Sequence, residues 1–379
     1  MSETTSSSTS IAELLDGVAR LLDQRPDLRA RVVMVDLTRN GANGSPNGGG
    51  DDGTTTFTPS GVMLTPKFNL AGHAVIAYMA EQHLEQNDRD SYENLQRVKA
   101  ADPIGRGDIG SMAIWPDQLK HPPVGQGPAF AAQKARLGGD RGHWHYVNIA
   151  YDPAQRNKKV DLASASGDLL KQLPGQLDLI ANADPLNAAD ALCFVLHLVG
   201  DLHQPLHCAA LADGEYFKTP PEYDRGGNLI RWGVDTARTS ENLHALWDDF
   251  IAVNSADVEK RVQELLAKYP RSAFTTAELN LGLDDIALES FDIAKDAYDQ
   301  FLAEATYQGE STSQAGAQQF SPPSPKYRAD GQGLIRRRAA LAAYRLADTL
   351  RQHLPGGGGP PRPPKKPRRP RKKRLLANR

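Results

Sequence analysis

Between Ala189 and His207 the chain reads ADALCFVLHLVGDLHQPLH, and this stretch narrows the choice of fold more than any other. Apolar residues recur through it at three- and four-residue spacing, as they do in a helix. His197 and Asp201 stand four apart and so share one face of that helix. Phe194, Leu196, Leu198 and Val199 around them are apolar. A helix of this kind belongs in an interior, and an imidazole and a carboxylate carried into an interior must find partners there. A divalent cation satisfies both at once. Pro205 should end the helix, so His207 can point in a new direction.

A second pair repeats the pattern. In NLHALWDDF, His244 and Asp248 are again four apart, among Leu243, Leu246, Trp247 and Phe250. Three further candidates lie upstream: His73 in AGHAVIAYM at an apparent helix start, Asp117 in IWPDQLK, and His145 in HWHYVN. Taken singly, each has a plain structural reading: a hydrogen-bonded pair, a core histidine, a helix cap after Pro116. Taken together they supply five His and three Asp, with no cysteine among them. Nitrogen and oxygen donors without thiolate point to catalytic rather than structural zinc. Eight side chains are too many for one ion and suit two or three, with a carboxylate bridging.

Helical spacing also marks AGHAVIAYMAEQHL, ENLHALWDDFIAV, ADVEKRVQELLAKY, ALESFDIAKDAYDQFLAEA and GLIRRRAALAAYRLADTLRQHL, with Asn187 and Asp257 as start signals. Strand signals are few, LIRWGV at 229–234 being the clearest. The expected fold is all-α: a single mainly helical domain over residues 68–354. Residues 1–67 form an extension with a possible helix at Ile11–Gln24 and a Gly/Ser/Thr-rich linker, GANGSPNGGGDDGTTTFTPSG. Residues 355–379 form a basic Pro/Arg/Lys tail that cannot build a core and is expected to be disordered. That tail carries ten Lys or Arg and no acid, which leaves −12 on the rest of the chain. An acidic body is poorly suited to binding nucleic acid by charge alone, so affinity for phosphate must come from a local feature. The tail reads as a solvated end, a nucleic-acid arm or a nuclear-type address. No apolar run approaches the ~20 residues of a membrane span, and no secretory signal is evident at the N-terminus. Cys193 and Cys208 alone exclude a disulfide scaffold.

The order FNLAGHAVIAYMA, AIWPDQLK, HWHYVNI, FVLHLVGDLHQPLH, DRGGN and NLHALWD resembles the S1/P1 nuclease family over about residues 68–350. That family shares a three-zinc helical fold with bacterial phospholipases C. The resemblance implies that Asp117, His145 and His197 hold one zinc, and that Asp201 bridges it to a second zinc bound by His73. It implies a third, held by His207, His244 and Asp248. A hydroxide between the close pair would attack phosphorus, and the third zinc would bind the phosphate and stabilise the departing 3′ oxygen. The implied activity is that of a zinc-dependent endonuclease and 3′-nucleotidase, cutting single-stranded DNA and RNA to 5′-phosphorylated products. Asp117, Asp201 and Lys120 would act in catalysis, Lys120 standing where the family has an arginine. Tyr146 would stack on an unpaired base. Asn148 and Asn228 would contact the substrate, Asn148 replacing an acid that reads the base edge.

One feature departs from the family. The mature family chain usually begins with a tryptophan whose free amine and carbonyl complete a zinc site. Here the matching residue, Phe68, has 67 residues ahead of it. Removal of that segment is expected, the linker being a ready proteolytic target. Without removal, two zincs rather than three are expected. The family is generally exported, while the tail could serve as a nuclear address, so compartment stays open. The competing readings are a phospholipase C-like phosphodiesterase and a non-catalytic protein that binds nucleic acid through its tail. Asp248 argues against the first, since the phospholipases use a glutamate in the third site. The full ligand set argues against the second. No obligate protein partner is evident.

Overall fold

Helix α6, Pro185–His203, runs through the middle of the protein, and its start and stop are both local chemistry. Pro185 sits at the first helical position, where its missing N–H costs nothing. The Asp184 carboxylate caps the amides of Leu186 and Asn187 at 3.1 and 3.2 Å. The start signal is thus Asp184 and not Asn187, which lies inside the first turn. At the other end Gln204 precedes Pro205 and takes extended dihedrals, φ −85° and ψ 116°, because the proline ring crowds a helical predecessor. Every residue of α6 from Ala188 onward is buried.

The computed structural model describes residues 56–57, 63–64, 69–123, 125–220, 223–233, 241–251 and 257–354. The possible helix at 11–24, most of the linker, Phe68 and the basic tail lie outside the described residues. Within the linker region, β1 (Thr56–Phe57) pairs antiparallel with β2 (Met63–Leu64).

Around α6 pack α1 (Asn69–Asn87), α2 (Arg89–Ala100), α3 (Ile109–Lys120), α5 (Leu169–Asn182), α10 (Leu283–Glu304) and α11 (Pro325–His353). Helices α4 (Gly127–Leu137), α7 (Leu243–Asp248), α8 (Val258–Lys268) and α9 (Thr276–Leu279) are smaller. The mainly helical fold expected from the sequence is observed. Strands are short. Strand β3 (Ile149–Tyr151) pairs in parallel with β4 (Ala209–Leu211). A four-stranded sheet runs in the order β6 (Glu241–Asn242), β5 (Ile230–Trp232), β8 (Gln318–Phe320), β7 (Tyr307–Glu310). The strand signal at 229–234 corresponds to β5.

By length and composition α6 could cross a membrane, which corrects the expectation that no apolar run reaches that length. Its burial inside the protein accounts for its hydropathy: it is the core of a helix bundle. Cys193 and Cys208 are free thiols, both buried.

Candidate metal centre

Six elements bring the eight predicted side chains together. His73 comes from the second turn of α1 and Asp117 from α3. His145 ends a short 3-10 turn, Gly142–His145. His197 and Asp201 come from α6. His207 ends a second 3-10 turn, Pro205–His207, and His244 and Asp248 come from α7. As a plain structural residue Asp117 read as a helix cap after Pro116; it lies instead within a helix that continues through Pro116. Seven of the eight residues are buried, and His244 is partly so.

They fall into three groups, in each of which one donor atom per residue lies within 4.8 Å of the others: His73, His197 and Asp201; Asp117, His145 and His197; His207, His244 and Asp248. Asp201 stands between the first two. Its Oδ2 is 3.1 Å from His145 Nδ1 and 3.3 Å from His197 Nε2, while its Oδ1 is 3.3 Å from His73 Nε2. His207 Nε2 and His244 Nε2 lie 3.6 and 3.7 Å from the two oxygens of Asp248. A cleft is lined by His73, Asp201, His207 and Asp248 with Ile76, Trp247, Ile251 and Ile335.

Backbone carbonyls fix three of the imidazoles. His197 Nδ1–H donates to Ala113 O at 2.8 Å, His207 Nδ1–H to His145 O at 2.7 Å, and His244 Nδ1–H to Gly226 O at 2.7 Å. With Nδ1 carrying the proton, the Nε2 of a neutral ring turns its lone pair to the group, the outer-shell pattern of metal-ligating histidines. Asp117 Oδ2 is buried with no hydrogen-bond partner. A buried carboxylate oxygen left bare is costly unless a cation meets it.

The electrostatics agree. Burial opposes the charge of Asp117, but His197, Lys120 and His145 outweigh it and hold the carboxyl well below the usual range. Burial likewise opposes ionisation of Asp201, and His197 and His207 overcome it. Burial pushes His197 down to about 3 and also lowers His145 and His244, so these rings stay neutral with their lone pairs available. His207 is the exception. Burial works against its charge, yet Asp201 and Asp248 raise it to about 9, so these carboxylates call for positive charge between them.

Nitrogen and oxygen donors, neutral imidazoles and ionised carboxylates suit a divalent metal such as zinc. Lys120 Nζ is 2.8 Å from Asp117 Oδ1 and keeps some solvent exposure. Tyr146 and Asn148 follow His145 directly and are half-buried. The backbone of Asn148 pairs with Ser166. Asn228 donates from Nδ2 to Arg225 O at 2.8 Å.

The sequence model of the S1/P1 Nuclease family matches residues 68–355. The chain belongs to the S1/P1 nuclease family. Among its relatives, Endonuclease 4 of Arabidopsis thaliana is 29% identical over 202 residues, 48% of this chain and 54% of that protein. Endonuclease 2 of the same plant is 24% identical over 221 residues, 54% and 63% of the two chains. Nuclease S1 of Aspergillus oryzae is 24% identical over 191 residues, 49% and 55%. The chain thus spans about half the length of the curated relatives it matches.

The eight His and Asp side chains that meet here were legible in the sequence; the groups that support them were not. Gln204 holds Asp248 from outside, Nε2 to Oδ1 at 2.8 Å. Its place between the last residue of α6 and Pro205 was the available signal. His203 borders the same cleft but belongs to none of the three groups. Its Nδ1–H donates to Val199 O at 2.7 Å and its Nε2 accepts from Arg345 at 2.9 Å. Burial, with Arg338 and Arg345 alongside, keeps it neutral.

Proposed function

We propose that this protein is a zinc-dependent nuclease and 3′-nucleotidase that hydrolyses phosphodiester bonds of single-stranded DNA and RNA and leaves 5′-phosphates. The observation that carries the reading is the trio of His/Asp groups linked through Asp201, in a chain of the S1/P1 nuclease family. In this reading Asp117, His145 and His197 would hold one zinc and His73 a second, with Asp201 shared between the two. His207, His244 and Asp248 hold the third. When bound, zinc supplies a nucleophile available at neutral pH and positive charge against phosphate oxygens.

The protein's own groups do the rest. The carbonyls of Ala113, His145 and Gly226 orient three imidazoles before any ligand arrives, so little reorganisation accompanies binding. Asp117 holds the Lys120 ammonium beside the groups, where it meets an anionic substrate; as a lysine it does so as a point charge and not as a bidentate fork. Tyr146 offers a ring on which an unpaired base stacks, an interaction tolerant of sequence but closed to bases still paired in a duplex. Asn148 and Asn228 supply amides that both donate and accept toward the base.

Residues 68–354 are the catalytic unit in this reading, and the segments on either side are extensions. Proteolysis before Phe68 would free an amine to complete the His73 group. A full-length chain with three bound zincs and full activity would overturn that step.

The test of the reaction is end chemistry. A single-stranded oligonucleotide and its duplex are digested in parallel and the new ends mapped. Rapid cleavage of the single strand to 5′-phosphate ends is expected. Equal cleavage of the duplex, or 3′-phosphate ends, would contradict the reading, and release of phospholipid head groups instead would favour the phospholipase C-like alternative.

A further inference from the structure

Asp224 has no solvent-exposed surface, and it sits outside the eight ligands. Its Oδ1 accepts from the amides of Leu211 and Gly226 at 2.7 and 3.0 Å, and its Oδ2 from Gly227 at 2.8 Å. The loop it organises is unusual in its backbone. Tyr223, Arg225, Gly226 and Gly227 all have positive φ, at 45°, 57°, 65° and 88°, a region that side chains of L residues disfavour. Such a run persists only when its surroundings over-determine it. Three amide hydrogen bonds to one buried carboxylate provide that determination.

The loop in turn touches the third His/Asp group from two directions. Gly226 O accepts the Nδ1–H of His244 at 2.7 Å, and Gly227 O faces the His244 amide at 3.4 Å. A Cβ on Gly227 would lie 3.0 Å from His244 N and 3.1 Å from Leu206 Cδ1, so the backbone is pressed between α7 and the turn that carries His207. Asp224 also anchors β4, four residues beyond His207, through Leu211. No ligand of the other two groups hydrogen-bonds to this loop among the described residues.

We propose that Asp224 is a positioning residue for the His207–His244–Asp248 group: it holds the Asp224–Asn228 loop in its left-handed course so that Gly226 O fixes the tautomer and direction of His244. This rests on the reading of that group as a metal site. Without the carboxylate the loop relaxes, Gly226 O leaves its place, and the His244 ring can carry its proton on either nitrogen. Loss of an outer-shell partner of this kind weakens metal binding about 10- to 100-fold.

The test uses the full chain, titrated with zinc alone and again with cobalt, whose visible absorption reports ligand geometry. The parent is compared with D224A, D224N and H244A. D224N keeps the volume but puts an NH2 against an amide N–H. Both Asp224 variants are expected to bind one zinc fewer than the parent at limiting metal, as H244A does. The remaining sites should keep parental affinity and cobalt spectrum, and helix content should be unchanged. Parental zinc number and affinity in both Asp224 variants would overturn the positioning role alone. Loss of every zinc, or failure of both variants to fold, would also overturn it, by making Asp224 a support of the whole fold. A parent that binds no zinc would instead sink the metal reading on which the proposal rests.

Discussion

Gly200 sets how closely the ring of His73 approaches α6. In an open helix, replacing glycine by alanine stabilises by about 1 kcal/mol. Here an added Cβ would lie 2.6 Å from His73 Nδ1, so the ring must move. G200A is expected to keep its helix content but lose metal from the His73 group, and kcat should fall on the order of 10²-fold, as for misplacement by about 1 Å. Circular dichroism with a zinc count checks both halves. Lys120 gives a second prediction: removing its ammonium in K120A should lower kcat about 10²-fold, the usual loss for one transition-state donor, while K120R keeps most activity. Steady-state kinetics on a short single strand decide it. Of the eight proposed ligands, His197, Asp201, His244 and Asp248 were readable because His and Asp in an apolar helix need partners. Gly200 and Asp224 were not, since a helical glycine and a turn aspartate look ordinary until the ring and amides they serve are seen.

Among the elements, α6 was the most legible, being apolar throughout and ended by Pro205. Helices α2, α3, α4 and α5 were not read, for separate reasons. Pro116 and Pro174 lie inside α3 and α5, and an internal proline reads in a sequence as a helix break. Among the hydrophobic side chains of α4 only Phe130 is buried, and the buried face of α2, Ser91, Asn94, Leu95 and Val98, is half polar, so neither carries a continuous apolar stripe. The register of α11 against α6 depends on ionic contacts that spacing does not reveal. Arg338 donates to His203 O at 3.2 Å and to Ser290 Oγ at 2.5 Å, and both Arg338 and Arg345 pair with Glu289 of α10. Burial opposes the charge of Glu289, but the two guanidiniums outweigh it and lower its pKa. A folded pKa below the unfolded value means stability present above the unfolded carboxyl pKa and lost as pH falls through the folded one. E289Q leaves buried cations short of a partner and should cost about 3 kcal/mol at pH 7. Urea unfolding of both proteins from pH 7 down to pH 3 should show that gap narrowing in acid; a gap independent of pH would refute the assignment.

At the scale of the whole molecule, an acidic body carries the His/Asp groups while the positive charge collects between Pro355 and Arg379. If hydrolysis belongs to residues 68–354, deleting 355–379 should leave the cleavage rate of a short single strand within about twofold, because screening confines the influence of remote charges to roughly 10 Å. Any affinity the tail adds should appear only with long polymers at low salt, as binding that weakens steeply as salt rises. Abolished hydrolysis on deletion would move the function to the tail.

Cleavage by this protein should depend on zinc held by the three His/Asp groups. The most direct measurement is zinc per chain by elemental analysis on purified protein, before and after chelation, with single-stranded DNA and RNA cleavage assayed on the same samples. Three zincs are expected, or two where the His73 group is incomplete, with cleavage lost on chelation and restored by zinc. A chain that holds no zinc, or one that cleaves undiminished after its zinc is gone, would contradict it.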